Sequence, residues 1–450
     1  MKVHFISIGG SVMHQLAIAL QGKCYQVTGT DDEIFEPALT HLRDKGLLPS
    51  AFGWQPALIT PDLDAVILGM HAKADNPELM KAQELGLSIY SFPEYIFHES
   101  QQKKRVVVGG SHGKTTTTSM IMHVLKTCHQ DFDYLVGAKL AGFEQSVKVT
   151  NAPTIVCEGD EYLASALLRQ PKFHFLFPHV AILTGIAWDH INVFPTFENY
   201  VEQFEIFVNQ ITKGGNLVYN EEDETVKKVA EETTNIIRRL PYKTPSYSVE
   251  DGTTLLDTPE GPMPIEVFGA HNLNNLAGAK WICQNMGIDE ADFYEAIASF
   301  KGASKRLEKI AEGNGKVAYK DFAHSPSKVS ATTKAVKAQY PNRKLVACLE
   351  LHTYSSLNAE FLKEYEGALD AADVAVVFYS PDAVKIKQLE EVSYDQIAQS
   401  FQRDDLIIYT NPAEFKDFLF NYDLNNSALL LMSSGNYGGL NFDEVKRLVN

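Results

Sequence analysis

A stretch rich in glycine and threonine, VVVGGSHGKTTTTS at positions 106–119, has the residue types of a phosphate-binding loop. Backbone amides of closely spaced glycines can approach an anion, and the amino end of the following helix favours negative charge. Lys114 would reach the terminal phosphates of a nucleotide, and the Thr115 hydroxyl would bind Mg²⁺. The alternative is a tight strand-to-helix turn with a surface lysine. The residues of this predicted site for ATP and Mg²⁺ are Gly110, Ser111, His112, Gly113, Lys114, Thr115 and Thr116.

The acidic segment EGDEY at 158–162 is the second chemical signal, because it directly follows the apolar run TIVC. Hard cations such as Mg²⁺ prefer carboxylate oxygens and keep part of their water shell. Beside a phosphate loop, Glu158 is therefore a candidate metal ligand together with Thr115. Taken alone, the same segment would be interpreted as an acidic turn that faces solvent.

The amino-terminal stretch ISIGGSVMHQLA has the strand–glycine–helix order of a Rossmann nucleotide-binding unit, although it lacks the spaced third glycine. Asp31 follows the next predicted strand, where an acidic residue can bind a ribose hydroxyl. The alternative is a plain strand–turn–helix unit.

Parallel strands are needed to position these segments. Apolar runs typical of strands alternate with helical stretches through almost the whole chain, which predicts parallel sheets with helices on both faces. Ligands of such sheets bind beyond the carboxyl ends of the strands, where the polar clusters fall. We predict an α/β protein of three domains, each with a mainly parallel sheet flanked by helices. The predicted domains are a Rossmann-like substrate domain at 1–102, a central P-loop ATP-binding domain at 103–300 and a Rossmann-like carboxy-terminal domain at 301–450.

Composition excludes several classes of function. The chain of 450 residues has a formal net charge of −17 and no dense basic cluster, which argues against nucleic acid as a partner. Its five scattered cysteines argue against a disulfide framework or a structural zinc site. No apolar run approaches the ~20 residues of a membrane span, and the glycine-broken amino terminus is not a signal peptide. We expect a cytoplasmic protein that acts on small molecules; the sequence gives no prediction of its oligomeric state.

Several segments resemble, in order, the motifs of the Mur ligase family. GGSHGKTTT resembles that family's shorter phosphate loop, which accounts for Val108 at the place of the first P-loop glycine. EGDEY and WDH resemble its metal-binding segment and its Asp-His pair, and GAHNLNNLAGA resembles its adenine-site helix. KRLE and DFAHSPSK resemble a pair of motifs in its carboxy-terminal domain. The resemblance covers roughly residues 1–440 and implies three domains and ATP-dependent amide-bond formation through an acyl phosphate.

The resemblance also implies roles for individual residues. For His190 the alternative is a structural histidine, and for the asparagines of the adenine-site segment it is a polar helix start. Ser325 stands where relatives often have a second histidine, so no role is predicted for it. The implied catalytic residues are Lys114, His190, Arg306 and His324, and the implied metal ligands are Thr115, Glu158 and His190. The implied nucleotide contacts beyond the loop are His271, Asn272, Asn275, Arg306 and Asp321. The implied substrate contacts are Gly9, Gly10, Ser11, Asp31, His71, Glu161 and Tyr162.

Two branches of this family act on UDP-N-acetylmuramate. One branch adds free L-alanine, and the other reattaches a salvaged tripeptide, L-alanyl-γ-D-glutamyl-meso-diaminopimelate. The segments MHAKADNPEL, DFAHSP, LELHTYSSLN and SSGNYGGL resemble the second branch, so we predict tripeptide ligation in peptidoglycan recycling. The alternatives are the L-alanine ligase of wall synthesis and a nucleotide-binding regulator without ligase activity. A relative that adds glutamate to folate or to an amino-acid polymer is disfavoured by the amino-terminal domain with Asp31.

Overall fold

The computed structural model describes residues 1–70, 72–138, 140, 142–165, 167–390 and 392–449. His71, a predicted substrate residue, lies outside the described residues. The chain divides into two compact units, and the predicted three-domain division stays a prediction. Unit 1 comprises Met1–Ile186, Val201–Tyr242 and Gly278–Asp289, and unit 2 comprises Ala187–Tyr200, Lys243–Ala277 and Glu290–Asn450. In the part of the chain that the structure describes, no helix has both the length and the hydropathy of a membrane span.

The first sheet of unit 1 consists of four parallel strands with helices between them. Its elements are β1 (Lys2–Ile6), α1 (Met13–Gly22), β2 (Gln26–Thr30), α2 (Ala38–Asp44), β3 (Ala65–Leu68), α3 (Pro77–Glu84), β4 (Ile89–Ser91) and α4 (Phe92–Ser100). The strand order is β2-β1-β3-β4, so β1 lies between two neighbours and its residues Val3 to Ile6 are buried. The carboxyl ends of β1 and β2 meet at one edge, which places the Gly9–Ser11 segment next to Asp31.

The second sheet of unit 1 carries the phosphate-loop segment. Its elements, with the associated helices, are β5 (Lys104–Gly109), α5 (Lys114–Thr127), β6 (Asp133–Leu135), β7 (Val147–Lys148), β8 (Thr154–Glu158), β9 (Val180–Leu183), α6 (Phe197–Asn209), β10 (Asn216–Asn220), α7 (Glu224–Glu232) and β11 (Arg238–Tyr242). The order is β11-β10-β9-β5-β8-β6-β7, and only β7 runs antiparallel to its neighbour. Because β5 lies between β9 and β8, the loops that follow these three strands meet at one edge.

Unit 2 contains a small antiparallel sheet and a larger, mainly parallel one. The elements from residue 247 onward are β12 (Tyr247–Glu250), β13 (Thr253–Thr258), β14 (Gly261–Ile265), α8 (Ala270–Asn285), α9 (Glu290–Ile297), β15 (Glu308–Gly313), β16 (Lys316–Asp321), α10 (Pro326–Gln339), β17 (Lys344–Leu351), β18 (Val374–Tyr379), α11 (Pro381–Ile386), α12 (Tyr394–Phe401), β19 (Ile407–Tyr409), α13 (Pro412–Asn421), β20 (Ser427–Met432) and α14 (Phe442–Val449). The larger sheet has the order β15-β16-β20-β17-β18-β19, and β15 is its antiparallel edge strand.

Both faces of the larger sheet in unit 2 are buried, which explains its continuous apolar strands. In β17, Leu345 and Ala347 belong to the hydrophobic cluster on one face, while Val346 and Cys348 belong to the cluster on the other. Successive side chains of a strand point to opposite faces, so a strand covered on both sides has no polar alternation. The predicted α/β class with mainly parallel sheets flanked by helices is confirmed.

A buried carboxylate connects three elements of the first sheet. Glu78 of α3 accepts a hydrogen bond from the Thr30 hydroxyl at 2.6 Å and one from Gln55 N at 2.5 Å, and it faces His4 Nε2 at 3.3 Å. Burial favours the neutral acid, but the contacts with His4, Thr30 and Gln55 outweigh it and hold the pKa of Glu78 below its ordinary value. The ionised carboxylate therefore stabilises this part of the fold.

We expect Glu78→Gln to destabilise the protein by about 1.5–3 kcal/mol at neutral pH, because hydrogen bonds to a buried charged group are lost. The pKa of Glu78 is lower in the folded than in the unfolded state. Its carboxylate therefore contributes fully to the free energy of unfolding above the ordinary glutamate pKa, and this contribution is lost as the pH falls through the pKa of the folded state. Thermal unfolding of wild type and variant at pH 7 and at acid pH measures both effects. The difference in stability between the two proteins should be smaller at acid pH. Glu84→Gln is the control: its exposed pair with Lys81 should contribute less than about 1 kcal/mol. Similar losses in the two variants would contradict this role of Glu78.

Candidate active site

The phosphate-loop segment forms the predicted turn between β5 and α5. Gly110 has a φ of 141° and Gly113, which precedes the first residue of α5, has a φ of 77°. L-residues with side chains rarely adopt these positive φ values, so both positions require glycine. The apolar positions Met120, Ile121, Val124 and Leu125 of α5 are buried, as the helical spacing predicts.

The end of β9 holds this loop in place. Ser111 N donates to Gly185 O at 2.9 Å, and the Thr184 hydroxyl lies 2.5 Å from His112 O and 3.1 Å from Gly109 O. A Cβ atom on Gly185 would lie 2.0 Å from His112 Cε1, so the imidazole packs directly on the glycine backbone. The loop therefore depends on a threonine and a glycine that follow the neighbouring strand.

Lys114, the first residue of α5, has its ammonium fixed at the mouth of the loop. Its Nζ donates to Gly110 O at 2.5 Å and to the Glu161 carboxylate at 2.6 Å. Burial favours the neutral amine, but the charges of Glu161, Asp160 and Glu158 outweigh it and raise the pKa of Lys114. The side chain is thus a positioned cation where a nucleotide's phosphates are predicted to lie. Glu161 was predicted as a substrate residue, and that role stays a prediction beside its observed pairing with Lys114.

Thr115 and Glu158 lie side by side, as the metal-site prediction requires. The Thr115 hydroxyl donates to Glu158 Oε1 at 2.6 Å, and Gly137 N donates to Oε2 at 3.0 Å. Hydroxyl and carboxylate oxygens are ligands that Mg²⁺ accepts, and a protein commonly supplies only one or two of them while phosphates and water supply the rest. Within the described residues, no three His, Cys, Asp or Glu side chains form a metal-binding cluster of their own. The pair therefore fits an ion shared with a nucleotide.

The remaining loop residues are placed as follows. Thr116 is buried in the first turn of α5. Tyr162 is half-buried; its backbone N donates to Asp160 Oδ1 at 3.0 Å, and the Lys172 ammonium lies 5.9 Å from its ring centre. The structure thus brings the predicted loop, the acidic segment and Tyr162 together at one edge of the sheet.

The amino-terminal segment forms a second polar edge in unit 1. Gly9 N donates to Asp31 Oδ2 at 2.7 Å, and Asp31 also accepts from Asp32 N at 3.0 Å. Burial raises the pKa of Asp31 to about 6. The Gly9 hydrogen bond opposes this shift, and the charge of Asp32 adds to it. Gly10 and Ser11 continue the same turn into α1, and Ser11 is exposed. The structure therefore brings together all the described residues of the predicted amino-terminal substrate site.

In unit 2, Asp321 organises the residues that follow β16. Its carboxylate accepts from Leu307 N and from Ala323 N, both at 2.6 Å. The Arg306 guanidinium lies 4.9 Å from the ring centre of Phe322. Burial lowers the pKa of the nearby His271, and the charge of Asp321 opposes this shift. The structure thus groups the carboxy-terminal nucleotide residues His271, Arg306 and Asp321.

His324 and Asp189 belong to a second cluster of unit 2. His324 Nδ1 lies 2.8 Å from Phe322 O, and Lys328 Nζ lies 3.5 Å from Asp189 Oδ2. Burial and the positive charge of Lys328 lower the pKa of His324 to about 4, so the imidazole is neutral at physiological pH. Burial would raise the pKa of Asp189, but the charge of Lys328 and the hydrogen bond from His190 N help to hold it below the ordinary value.

His190 follows Asp189 with a φ of 56°, and its backbone N donates to Asp189 Oδ1 at 2.8 Å. On α8, Asn272 donates from Nδ2 to Phe268 O at 3.0 Å, and Asn275 is buried. Ser325 is buried at the start of α10. The chemical roles predicted for His190 and the two asparagines stay predictions.

Comparison with known proteins places the chain in a family. Residues 2–103 match the family model described as "Mur ligase family, catalytic domain", and residues 108–283 match the "Mur ligase middle domain". A UDP-N-acetylmuramate–L-alanine ligase of Carboxydothermus hydrogenoformans is 30% identical over 97% of this chain and 94% of its own length. The chain belongs to the Mur ligase family.

Two solved structures share the fold of this Mur ligase. A murein peptide ligase of Psychrobacter arcticus matches it with a TM-score of 0.64 and 21% identity, over 100% of this chain and 99% of that one. A UDP-N-acetylmuramate–alanine ligase of Thermotoga maritima matches it with a TM-score of 0.67 and 22% identity, over 99% and 97%. The predicted family is confirmed, and with it the prediction of an ATP-dependent ligase that forms carbon–nitrogen bonds.

Sequence reasoning missed several residues of this Mur ligase's site. Thr184 and Gly185 stand in the segment AILTGIA, where their signal is a Thr-Gly pair directly after four buried apolar residues. Gly137 and Lys328 carried no local signal, because their contacts with Glu158 and Asp189 depend on neighbours distant in sequence.

We expect Gly185→Ala to weaken ATP binding by the Mur ligase, because the new methyl group displaces the His112 ring and with it the loop. Overpacking of this kind costs about 1–3 kcal/mol, which corresponds to a Kd for ATP that is about fivefold to 150-fold higher. Calorimetric titration with ATP measures it.

Two further variants test this cause. Gly185→Ala combined with His112→Ala removes the clash and should recover most of the lost affinity. Gly22→Ala, where a Cβ meets no atom within 4 Å, should bind ATP as the wild type does. An unchanged Kd in the single Gly185→Ala variant would show that the loop does not depend on this packing.

Proposed function

We propose that this Mur ligase joins the lactyl carboxylate of UDP-N-acetylmuramate to the amine of a salvaged peptide, L-alanyl-γ-D-glutamyl-meso-diaminopimelate. The loops after β17 and β20 are the reason that we favour a peptide over free L-alanine as the amine. Neither segment, 351–358 or 433–439, contains a lysine or an arginine. The two strands are neighbours, and β20 also pairs with β16, which leads to His324.

The charge of the amine substrate explains why this absence matters. In free L-alanine a carboxylate is bonded to the carbon that carries the reacting amine, so a lysine or arginine nearby would favour its binding. In the peptide the same carboxyl group is an uncharged amide. This edge carries a buried carboxylate: Glu350 is 3% exposed, accepts from Tyr437 N at 2.8 Å and from the Ser433 hydroxyl, and lies 3.8 Å from His352 Nδ1. An anion at this position opposes a second carboxylate and tolerates an amide.

The phosphate loop supports ATP as the activating substrate. A carboxylate is a poor electrophile; transfer of the γ-phosphoryl group to it forms an acyl phosphate, and attack by the deprotonated amine releases phosphate and forms the amide. We assign Lys114 to the phosphoryl oxygens, since its ammonium is already fixed at the loop by Glu161 and Gly110. Thr115 and Glu158 would hold Mg²⁺, which neutralises charge on the transferring phosphate when bound.

The unit 2 residues support a role beside the nucleotide and the amine. Asp321 accepts hydrogen bonds from Leu307 N, directly after Arg306, and from Ala323 N, directly before His324. It thereby fixes the backbone next to each of these two residues. We assign Arg306 to developing phosphate charge and His324, which is neutral at physiological pH, to the nucleotide side of the site. Asp31 with the Gly9–Ser11 turn is assigned to the UDP moiety.

A second candidate, the L-alanine ligase of wall synthesis, is favoured by the similarity to the UDP-N-acetylmuramate–L-alanine ligase of Carboxydothermus hydrogenoformans. The two candidates differ only in the amine. Phosphate release by the purified protein with ATP, Mg²⁺ and UDP-N-acetylmuramate separates them, with L-alanine or the tripeptide as the amine. We expect turnover with the tripeptide and none with L-alanine. Turnover with L-alanine alone would assign the chain to wall synthesis. If neither amine led to phosphate release, a nucleotide-binding regulator would be favoured.

We expect Lys114→Ala to abolish ligation, a loss of at least about a hundredfold in rate, because the fixed cation at the phosphates is removed. The Kd for UDP-N-acetylmuramate should stay within about threefold of wild type, since an affinity change of that size corresponds to less than 1 kcal/mol. Calorimetry and the phosphate-release assay measure the two properties on the same preparation. Equal loss of both in a folded variant would refute this division between the loop and the amino-terminal site.

A further inference from the structure

The His14 side chain contacts the turn that precedes its own helix. His14 Nδ1 lies 2.8 Å from Gly10 O, which also accepts from His14 N at 3.0 Å. A carbonyl oxygen only accepts hydrogen bonds, so Nδ1 must carry a proton. His14 is 3% exposed, and its ring is therefore a buried donor to the glycine turn.

The other nitrogen of His14 is held as an acceptor. Ser146 N donates to Gln15 Oε1 at 3.4 Å, which turns the amide nitrogen of Gln15 toward His14 Nε2 at 2.8 Å. His41 Nδ1 lies 3.2 Å from the same atom. Since Gln15 Nε2 can only donate, His14 Nε2 must accept, which fixes the neutral form with its proton on Nδ1. Burial lowers the pKa of His14, the Gly10 hydrogen bond opposes this shift, and the neighbouring His41 adds to it.

The orientation of one peptide unit follows from this contact. Gly10 C=O and Ser11 N–H belong to the same trans peptide and point in opposite directions. When His14 holds Gly10 O toward α1, the Ser11 N–H is directed away from the helix, at a residue that is exposed. The neighbouring amides are engaged elsewhere, since Gly9 N donates to Asp31 and Gly10 N donates to Ser7 O at 3.4 Å.

We propose that His14 is a positioning residue that aims the Ser11 amide at the diphosphate of the UDP-sugar, with Gln15 fixing its tautomer. The proposal rests on the proposed function, in which the Gly9–Ser11 turn binds the UDP moiety. A diphosphate oxygen is the natural acceptor for a backbone amide at the start of a helix. The contact of Gln15 with Ser146 also joins this turn to the segment that precedes β7.

Two substitutions of His14 separate the donor from the bulk of the side chain. The amide nitrogen of His14→Asn can replace Nδ1 as a donor to Gly10 O, whereas His14→Leu offers no donor. Both variants remove the His14 Nε2 acceptor and leave Gln15 Nε2 its contact with His41 Nδ1 at 3.2 Å, so they are matched in that loss. We expect the Kd for UDP, and for UDP-N-acetylmuramate, to rise about tenfold in His14→Leu, as the loss of one hydrogen bond predicts, and to stay within about threefold in His14→Asn. The Kd for ATP should be unchanged in both variants, which also shows that unit 1 is folded.

The outcomes distinguish this proposal from the function on which it rests. UDP affinity equal to wild type in His14→Leu overturns the positioning role and leaves the proposed function standing. Equal weakening of UDP binding in the two variants also overturns the role, because the donor would then not matter. A wild-type protein that binds ATP but neither UDP nor UDP-N-acetylmuramate overturns both.

Discussion

The buried ion pair between Lys114 and Glu161 is the interaction on which the phosphate-binding edge depends. Burying an ammonium group destabilises a protein unless opposite charge and hydrogen bonds surround the group. Here they come from the acidic segment after β8 and from the carbonyl of Gly110. Because β5 and β8 are parallel neighbours, the lysine and the carboxylate meet without any long loop. The ion pair places a cation at the mouth of the glycine turn and fixes the chain on both sides of it.

The same construction recurs at other strand ends of the molecule. In each case a carboxylate that follows a parallel strand accepts backbone amides from the neighbouring loop. Asp31 after β2 accepts from Gly9, and Glu158 at the end of β8 accepts from Gly137. Asp321 at the end of β16 accepts from Leu307 and Ala323, and Glu350 near the end of β17 accepts from Tyr437. These acids act as fixed acceptors that shape the loops in which the predicted ligand-binding residues stand.

This arrangement connects the fold to the chemistry of ligation. Activation of a carboxylate by ATP requires cations at the phosphates; in the proposed function Lys114 is one of them, and the Thr115–Glu158 pair of unit 1 would hold Mg²⁺ as another. In the proposed function, the choice of the amine depends on charge at the carboxyl edge of the larger sheet in unit 2. There, a buried Glu350 and loops without lysine or arginine favour an amine whose neighbouring carboxyl group is already an amide. Family membership sets the class of reaction, and the proposed choice of amine rests on local charge.

The amino-acid sequence by itself determined the α/β class, the phosphate loop with Lys114 and Thr115, and the pairing of the loop with Glu158. These features are local: glycine spacing, apolar runs and the polar residues that follow them are all visible along the chain. The residues that hold the loop in place were not visible in the sequence. Thr184 and Gly185 contact the loop only because β9 lies beside β5. The tautomer of His14 and the pairing of Glu161 with Lys114 were likewise decided by tertiary structure. Hydrogen-bond partners and desolvation depend on which strands become neighbours, and that order is fixed by packing across the whole sheet rather than by any one segment.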